Sequence, residues 1–346
     1  MSQLRKDPVT GRWVAFHPER VRKAVEIVTL RSPRQRGHSC YYCQGREAET
    51  PPEIFALRQE GTAPNTPGWS TRVVPHPVPS LRVERQLVRE GLGMFDRMSG
   101  VGAHEVIVES PNHEADLSGL ENRALEKVFL TYRDRVADLK RDQRLRYISV
   151  FKEHGIGRRF MTGHSISEIL GLPVTPLGIK TELNQCRQYF GYKQRCIFCD
   201  IIRDEQRMNE RVVFENEGFI VFEPFAARYP FETWVLPKQH QSDIVLLDSG
   251  EGVQQLAEAM RTALLLIREA LLDPPYGFVL HTMPNTVPRP DYWESIDQDY
   301  HWHFEIVPRV RESSGLDCAS GSFVNPVLPE EAADFLRETR QRSATC

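Results

Sequence analysis

Two Cys-x-x-Cys pairs, Cys40/Cys43 and Cys196/Cys199, are the residues whose type and spacing most directly imply chemistry. Two intervening residues let both thiolates reach one ion, and Zn²⁺ favours four N or S donors in a tetrahedron. Histidines follow each pair in the same order: His113 and His164 after the first, His240 and His301 after the second. Two Cys₂His₂ zinc centres are therefore expected, each pinning distant strands to a cysteine loop. A redox Cys-x-x-Cys and ordinary buried cysteines are the alternatives. The redox motif belongs at a strand–helix junction of a βαβ unit, and no such context is visible here. Cys186, Cys318 and Cys346 have no partners at metal spacing and read as plain thiols.

The repeated spacing points to an internal repeat. His104-Glu-Val-Ile-Val-Glu-Ser-Pro-Asn-His113 aligns without gaps on Phe231-Glu-Thr-Trp-Val-Leu-Pro-Lys-Gln-His240. Glu105 then matches Glu232, Val108 matches Val235 and His113 matches His240. Alternating apolar residues ending at a proline make each segment a strand running into a loop. His164-Ser-Ile-Ser-Glu-Ile-Leu parallels His301-Trp-His-Phe-Glu-Ile-Val, again as strands, with Ile166 and His303 on the face of the leading histidine. Residues 121–141 carry Leu125, Val128, Phe129, Tyr132, Val136 and Leu139 near a 3.6 period. Residues 252–272 repeat the pattern with Leu256, Met260, Leu264, Leu265, Ile267 and Leu271. Residues 330–341 read as a closing surface helix. Strands with one long helix per half give an α+β class. The proline-rich stretch 172–178 ends the first half, so the expected units are 1–178 and 179–346.

Composition narrows the function classes. The chain has 346 residues, 40% hydrophobic and 26% charged, enough for two packed units and incompatible with global disorder. Lys+Arg is 44 against Asp+Glu 47, a net charge of -3, so bulk nucleic-acid binding is not expected. No apolar run reaches membrane-spanning length, and MSQLRKDPVTGRW has no apolar leader segment. Seven cysteines, an odd number, argue against a disulfide framework and for a reducing, cytoplasmic setting.

The same residues resemble the galactose-1-phosphate uridylyltransferase family, a two-repeat branch of the histidine-triad superfamily. The resemblance rests on Leu4-Arg-Lys-Asp-Pro-Val-Thr-Gly-Arg-Trp-Val14 with Pro18-Glu-Arg20, on Cys40-Tyr-Tyr-Cys43 with Thr50-Pro-Pro-Glu53, and on Arg72-Val-Val-Pro75. Gly102-Ala-His-Glu105, Tyr132-Arg-Asp-Arg135 and Leu172-Pro-Val-Thr-Pro176 extend it. Cys196-Ile-Phe-Cys199, His281-Thr-Met-Pro284 and His301-Trp-His-Phe-Glu-Ile-Val-Pro-Arg309 carry it through the second half. It implies two tandem histidine-triad-like repeats, each an antiparallel sheet with a long helix, and a homodimer with its site near the subunit boundary. It also implies nucleotidyl exchange between a nucleotide sugar and a sugar 1-phosphate through a nucleotidyl-histidine. Arg20, Arg72 and Arg309 are anion contacts by resemblance. In some members the positions of Glu182, His281 and the second-half histidine pair hold a further metal.

The family's His-x-His-x-Gln motif reads His164-Ser165-Ile166-Ser167-Glu168 here. Ile166, in the nucleophile's place, has no lone pair with which to attack phosphorus. Glu168 replaces a phosphate-holding Gln with a carboxylate, and Glu153 replaces the usual Asn. Arg158 and Arg159-Phe160-Met161 replace small residues, so bulk fills a phosphate niche while two arginines could recruit another anion. His303 and Glu168 are then the remaining candidate catalytic residues. His76 and His104 read as structural, and His281 as either a core histidine or a ligand. Three readings stand: a repurposed enzyme acting on a nucleotide or sugar phosphate, a non-catalytic binder of nucleotide sugar or of a partner, and an enzyme whose chemistry has moved to His303.

Overall fold

The computed structural model describes residues 3–16, 18, 40–155, 163–286, 294–310 and 323–344. Its N-terminal strands β1 (Gln3–Lys6) and β2 (Trp13–Phe16) form a hairpin. The first half then supplies β3 (Phe55–Arg58), β4 (Trp69–Pro75), the hairpin β5 (Arg89–Leu92) and β6 (Phe95–Met98), β7 (Ala103–Val108), helix α1 (Asn122–Leu139), β8 (Tyr147–His154) and β9 (Ile166–Leu172). Helices α2 (Leu177–Lys193) and α3 (Ile197–Met208) follow. The second half supplies β10 (Val212–Glu215), β11 (Phe219–Phe222), β12 (Thr233–Pro237), α4 (Glu251–Ala270), β13 (Tyr276–His281), the short α5 (Ile296–Asp299), β14 (His303–Pro308) and β15 (Phe323–Asn325). Helix α6 (Pro329–Ala344) closes the chain.

Ten strands form one antiparallel sheet in the order β10-β11-β12-β14-β13-β8-β9-β7-β4-β3. The halves contribute five strands each, in mirrored order, and meet at β8–β13, where His154 pairs with Tyr276 and Val150 with Leu280. This is the α+β architecture expected, with the repeat visible as topology. No described helix is long and apolar enough to cross a membrane.

One face of the sheet packs on α1 and α4. Phe129, Tyr132 and Val136 of α1 and Met260, Leu264 and Ile267 of α4 are buried there in one continuous core. Each such side chain contributes roughly 1.5–3 kcal/mol on burial. The opposite face carries Ile166, Glu168, His303 and Glu305, and is covered by the first cysteine loop, α2, α3 and the N-terminal strands.

Three details differ from the sequence reading. The gapless alignment of the strands is one residue out. Ile107 pairs with Ser167 and Val235 with Phe304, so Ile107, not Val108, occupies Val235's place. Ile107 and Val235 share the helix-side core, whereas Val108 lies on the other face. A one-residue slip turns every strand side chain over. Second, the expected boundary at 178 falls in the first turn of α2, whose N-cap is Pro176. Pro176 stands at the start of that helix, where a missing N–H costs little, and β9 ends at Leu172 just before Pro173. Third, β2 pairs with β15, so the N-terminal strands pack with the end of the chain.

Candidate functional site

The two Cys-x-x-Cys groups assemble as the spacing implies. Cys40, Cys43, His113 and His164 converge, as do Cys196, Cys199, His240 and His301. Zn–S of about 2.3 Å and Zn–N of about 2.05 Å in a tetrahedron require S···N edges of about 3.6 Å. The Sγ···Nδ1 separations are 3.6 Å for Cys40–His164, 3.5 Å for Cys43–His113, 3.4 Å for Cys199–His240 and 3.7 Å for Cys199–His301. The tautomers fit as well. Nε2–H of His164 donates to Ser110 O (2.7 Å), of His301 to Pro237 O (2.8 Å) and of His240 to Asp297 O (3.0 Å). Each leaves a bare Nδ1 facing the thiols, the outer-shell arrangement usual for ligating histidine. The Cys199 thiol is pushed down, chiefly by its hydrogen bond from Cys196 and then by the two imidazoles, which favours the thiolate form. Cys196 caps α3, but β10 and β11 beyond are antiparallel, which is not a redox βαβ unit.

Ile166 sits where the family motif has its attacking histidine, 7% exposed among Tyr42, Val74, Val106 and Val108. Beneath it, a buried polar network fixes β9. Lys152 Nζ donates to Glu109 Oε2 (2.6 Å), Ser165 Oγ (3.0 Å) and the Ile166 carbonyl (3.1 Å). Glu109 also accepts from Tyr132 Oη (3.0 Å), Ser165 and Ser167.

Glu168, on the face of Ile166, accepts from His104 Nε2 at 3.0 Å, and His76 stacks on His104 with centroids 4.0 Å apart. These three residues could be taken for a two-histidine, one-carboxylate metal group. The hydrogen bonds argue otherwise. His76 Nδ1 accepts from Val78 N (3.1 Å) and His104 Nδ1 from Ser80 N (3.0 Å), so each neutral ring carries its proton on Nε2. A metal on Nε2 would leave both rings without a proton. The cluster is instead a carboxylate held by imidazole N–H, which sequence reasoning missed because His76 and His104 lie far from residue 168 along the chain.

In the second half His303 is fully buried, boxed in by Phe198, Trp234 and His281 at 4.7–5.3 Å between ring centroids. The imidazole of His303 is therefore enclosed on the faces that these rings cover. Its Nδ1–H donates to His301 O (3.0 Å), leaving Nε2 without a partner, and Glu182 Oε1 is likewise orphaned. His281 donates to Glu182 (2.9 Å) and lies 3.9 Å from Glu305. Burial disfavours its charge, but the Glu182 and Glu305 carboxylates raise it to about 9, so an imidazolium fills this cluster at neutral pH. The bare Nε2, Glu182 and a deprotonated His281 form a donor set that suits a divalent cation.

The expected anion contacts divide. Arg72 is 1% exposed, with its guanidinium bonded to Glu53, Thr50, the Glu47 carbonyl and Asn65. Arg309 is about half exposed, 3.2 Å from Glu153, at the edge of a cavity of about 600 Å³ over β8, β13 and β14. Arg20, Arg158 and Arg159, with Phe160 and Met161, lie outside the described residues. Glu205 is buried against Arg211 at 3.0 Å.

With this geometry in place, comparison with known proteins is specific. Residues 182–321 match the galactose-1-phosphate uridyl transferase C-terminal domain. The chain is 33% identical to an ADP-glucose phosphorylase from Arabidopsis thaliana over 97% of its own length and 92% of that protein's. It is 27% identical to a galactose-1-phosphate uridylyltransferase from Thermotoga maritima, covering 98% and 99% of the two chains. A crystal structure of the Arabidopsis ADP-glucose phosphorylase with bound ADP-glucose superposes with a TM-score of 0.80 at 32% identity, covering 98% of both chains. A fold, a pair of Cys₂His₂ groups and a full-length relative one-third identical agree: the chain belongs to the galactose-1-phosphate uridylyltransferase family.

Proposed function

We propose that this protein is a nucleotide-sugar enzyme that transfers a nucleotidyl group directly to a phosphate acceptor, without a nucleotidyl-histidine. The observation that carries the reading is Ile166, packed among apolar residues where the motif calls for an imidazole. Of the described first-half histidines near it, His164 belongs to the zinc group, and both nitrogens of His104 are engaged. In a single displacement, an acceptor phosphate oxygen bonds to the α-phosphorus while the bond to the departing sugar 1-phosphate breaks. Its electron pair leaves with the sugar phosphate, and the acceptor releases its proton to solvent. Arg309, at the cavity edge, is the cation placed to meet a phosphate. Two zinc ions per chain hold the cysteine loops to their strands. The nucleotide-sugar class is supported by relatives named as an ADP-glucose phosphorylase and a uridylyltransferase. The reading includes a homodimer, measurable by sedimentation.

A binding-only reading has its own observation. Glu153 and Glu168 place two carboxylates on the face where a phosphate would lie. One experiment separates the two. The protein is incubated with radiolabelled ADP-glucose or UDP-glucose, with and without inorganic phosphate or galactose 1-phosphate. Direct transfer gives turnover only with acceptor, no label on denatured protein, and no exchange of labelled glucose 1-phosphate into the nucleotide sugar. Labelled histidine, or exchange of labelled glucose 1-phosphate into the nucleotide sugar without acceptor, would overturn the proposal. Saturable binding without turnover would establish the binding-only reading.

A further inference from the structure

Glu223 has no part in the chemistry above, yet it is fully enclosed, with 0% exposure. It follows β11 directly and opens the turn 224–232 that leads into β12. Its N–H donates to the Arg211 carbonyl at 3.0 Å. Its carboxyl Oε1 lies 2.7 Å from the Thr233 hydroxyl, and Oε2 has no partner among the described residues. Two other buried carboxylates have a cation beside them. Glu109 has Lys152, and Glu105, which holds Thr233's place in the first-half register, has Arg135 at 2.7 Å. Among the described residues, no cation bears on Glu223.

The hydrogen bonds count protons. Thr233 Oγ1 also lies 3.0 Å from the Phe231 carbonyl, so one hydroxyl proton faces two acceptors. An ionised Glu223 would leave one of those buried acceptors unmet. A proton on Glu223 completes the chain: its O–H donates to Thr233, and Thr233 donates to Phe231. Phe231 needs that hold, because its φ of 60° is a left-handed conformation that a bulky residue keeps only under constraint. Burial pushes the Glu223 carboxyl well above the usual carboxylate range; the Thr233 bond opposes this and the charge of Glu232 adds to it. The other charged groups nearby are engaged elsewhere. Glu232 is held by Arg228. Arg211, just before β10, turns its guanidinium to Glu205 and Glu330. In α6, Glu330 is also held by Arg5, and Arg337 bonds the Val212 carbonyl and Asp334. Helix α4, packed on β10 and β11, buries only apolar side chains.

We infer that Glu223 is a neutral carboxylic acid that latches the 224–232 turn, and that loss of its proton as pH rises releases the turn. The proton passes to solvent, and the carboxylate left behind gains hydration only when the turn opens. The sign follows from the raised carboxyl. The closed turn is favoured at low pH, and that advantage is lost as pH climbs from the ordinary carboxyl value towards the raised one. Within that window the opening equilibrium gains about tenfold per pH unit. The turn carries Tyr229 and Pro230, which line the cavity that Arg309 borders, so its release removes one wall of the phosphate site proposed above. The latch itself is read without substrate, so absence of nucleotide-sugar turnover leaves it standing.

The test is amide hydrogen exchange of the full-length, zinc-loaded protein from pH 5 to pH 8, corrected for the intrinsic rate. The Ala227 and Glu232 N–H groups, bonded to Pro224 O and Tyr229 O, report opening of the turn. In the parent their protection is expected to fall by about tenfold per pH unit once opening begins to follow ionisation. In Glu223→Gln, whose side-chain amide donates to Thr233 in place of the acid proton, it should stay flat. Parallel profiles in the two proteins, or a flat profile in the parent, would overturn the inference. If Glu223→Gln does not fold, the parent decides through the carboxyl carbon resonance of Glu223. That signal should be the protonated acid's at pH 6 and change only as protection of the turn falls. A carboxylate signal at pH 6 with the turn still protected overturns the latch.

Discussion

At position 166 one side chain decides which chemistry is open. The two Cys₂His₂ sets were legible because their donor types are rare and their order repeats, and the structure brings all eight residues into two groups. The isoleucine at position 166 was legible too, and isoleucine offers none of the chemistry of imidazole. What surrounds it was not: the Glu168–His104–His76 cluster draws on β9, β7 and the residue after β4, and depends on backbone N–H groups of residues 78 and 80. This cluster bears on restoration. Ile166→His with Glu168→Gln rebuilds the motif on paper. In the structure the new imidazole would face Val74, Val106 and Val108, and His104 would lose its carboxylate acceptor. The sequence adds Arg159-Phe160-Met161 where small residues admit phosphate, and misplacement by ~1 Å can cost ~100-fold. The double mutant should therefore form little nucleotidyl-histidine, whereas a graft that also shortens residues 158–161 to small side chains should form it. Covalent labelling of the two variants with radiolabelled nucleotide sugar decides. Efficient labelling of the double mutant alone would mean that Ile166 was the only obstacle.

Among the elements, periodicity located helices better than it placed strands. The long helices begin and end within about two residues of the expected 121–141 and 252–272, although the buried stripe of α4 uses Leu266 where Leu265 was expected. Helices α2 and α3 escaped notice because glycines and a weak apolar stripe blur α2, and its proline N-cap resembles a terminator. The strand register escaped because a one-residue difference lies in the loop before His113, where composition gives no sign of it. The network under β9 is where strand placement acquires energetic weight. Lys152 and Glu109 are fully enclosed, and between them they tie β8, β9 and Tyr132 of α1. Removing one member of a buried ion pair leaves an uncompensated charge and typically costs 3–5 kcal/mol. Lys152→Met should lower the denaturant midpoint by an amount equivalent to roughly that cost, and Lys152→Met with Glu109→Gln should recover part of it. Additive losses in the double mutant would show that the two groups are energetically independent.

Over the whole molecule, the question is whether the halves 1–178 and 179–346 fold separately or together. The pairing pattern opposes independence. Strands β8 and β13 join the halves through five paired positions from Tyr276–His154 to Leu280–Val150. One hydrophobic core takes in both α1 and α4. Arg5 of the first strand is tied to Glu330 of the last helix. Such pairings connect residues far apart in sequence, which is why no local pattern announced them. They have a thermodynamic consequence for the metal. Each zinc group sits in one half, and structural zinc binding is worth of order 10 kcal/mol in small sites, comparable with the stability of an entire domain. If the halves were independent, Cys40→Ser would unfold the first and spare the second. With a shared sheet and core, the loss should spread. The parent should contain two zinc ions per chain by elemental analysis and unfold in a single calorimetric transition. Cys40→Ser and Cys196→Ser should each retain at most one zinc and each destabilise the whole chain, with no surviving transition at the parent's temperature. The 1–178 fragment, stripped of the β13 partner and of β15, should not fold alone. Two separated transitions in the parent, or an unshifted one in either cysteine variant, would mean that the continuous sheet does not couple the halves.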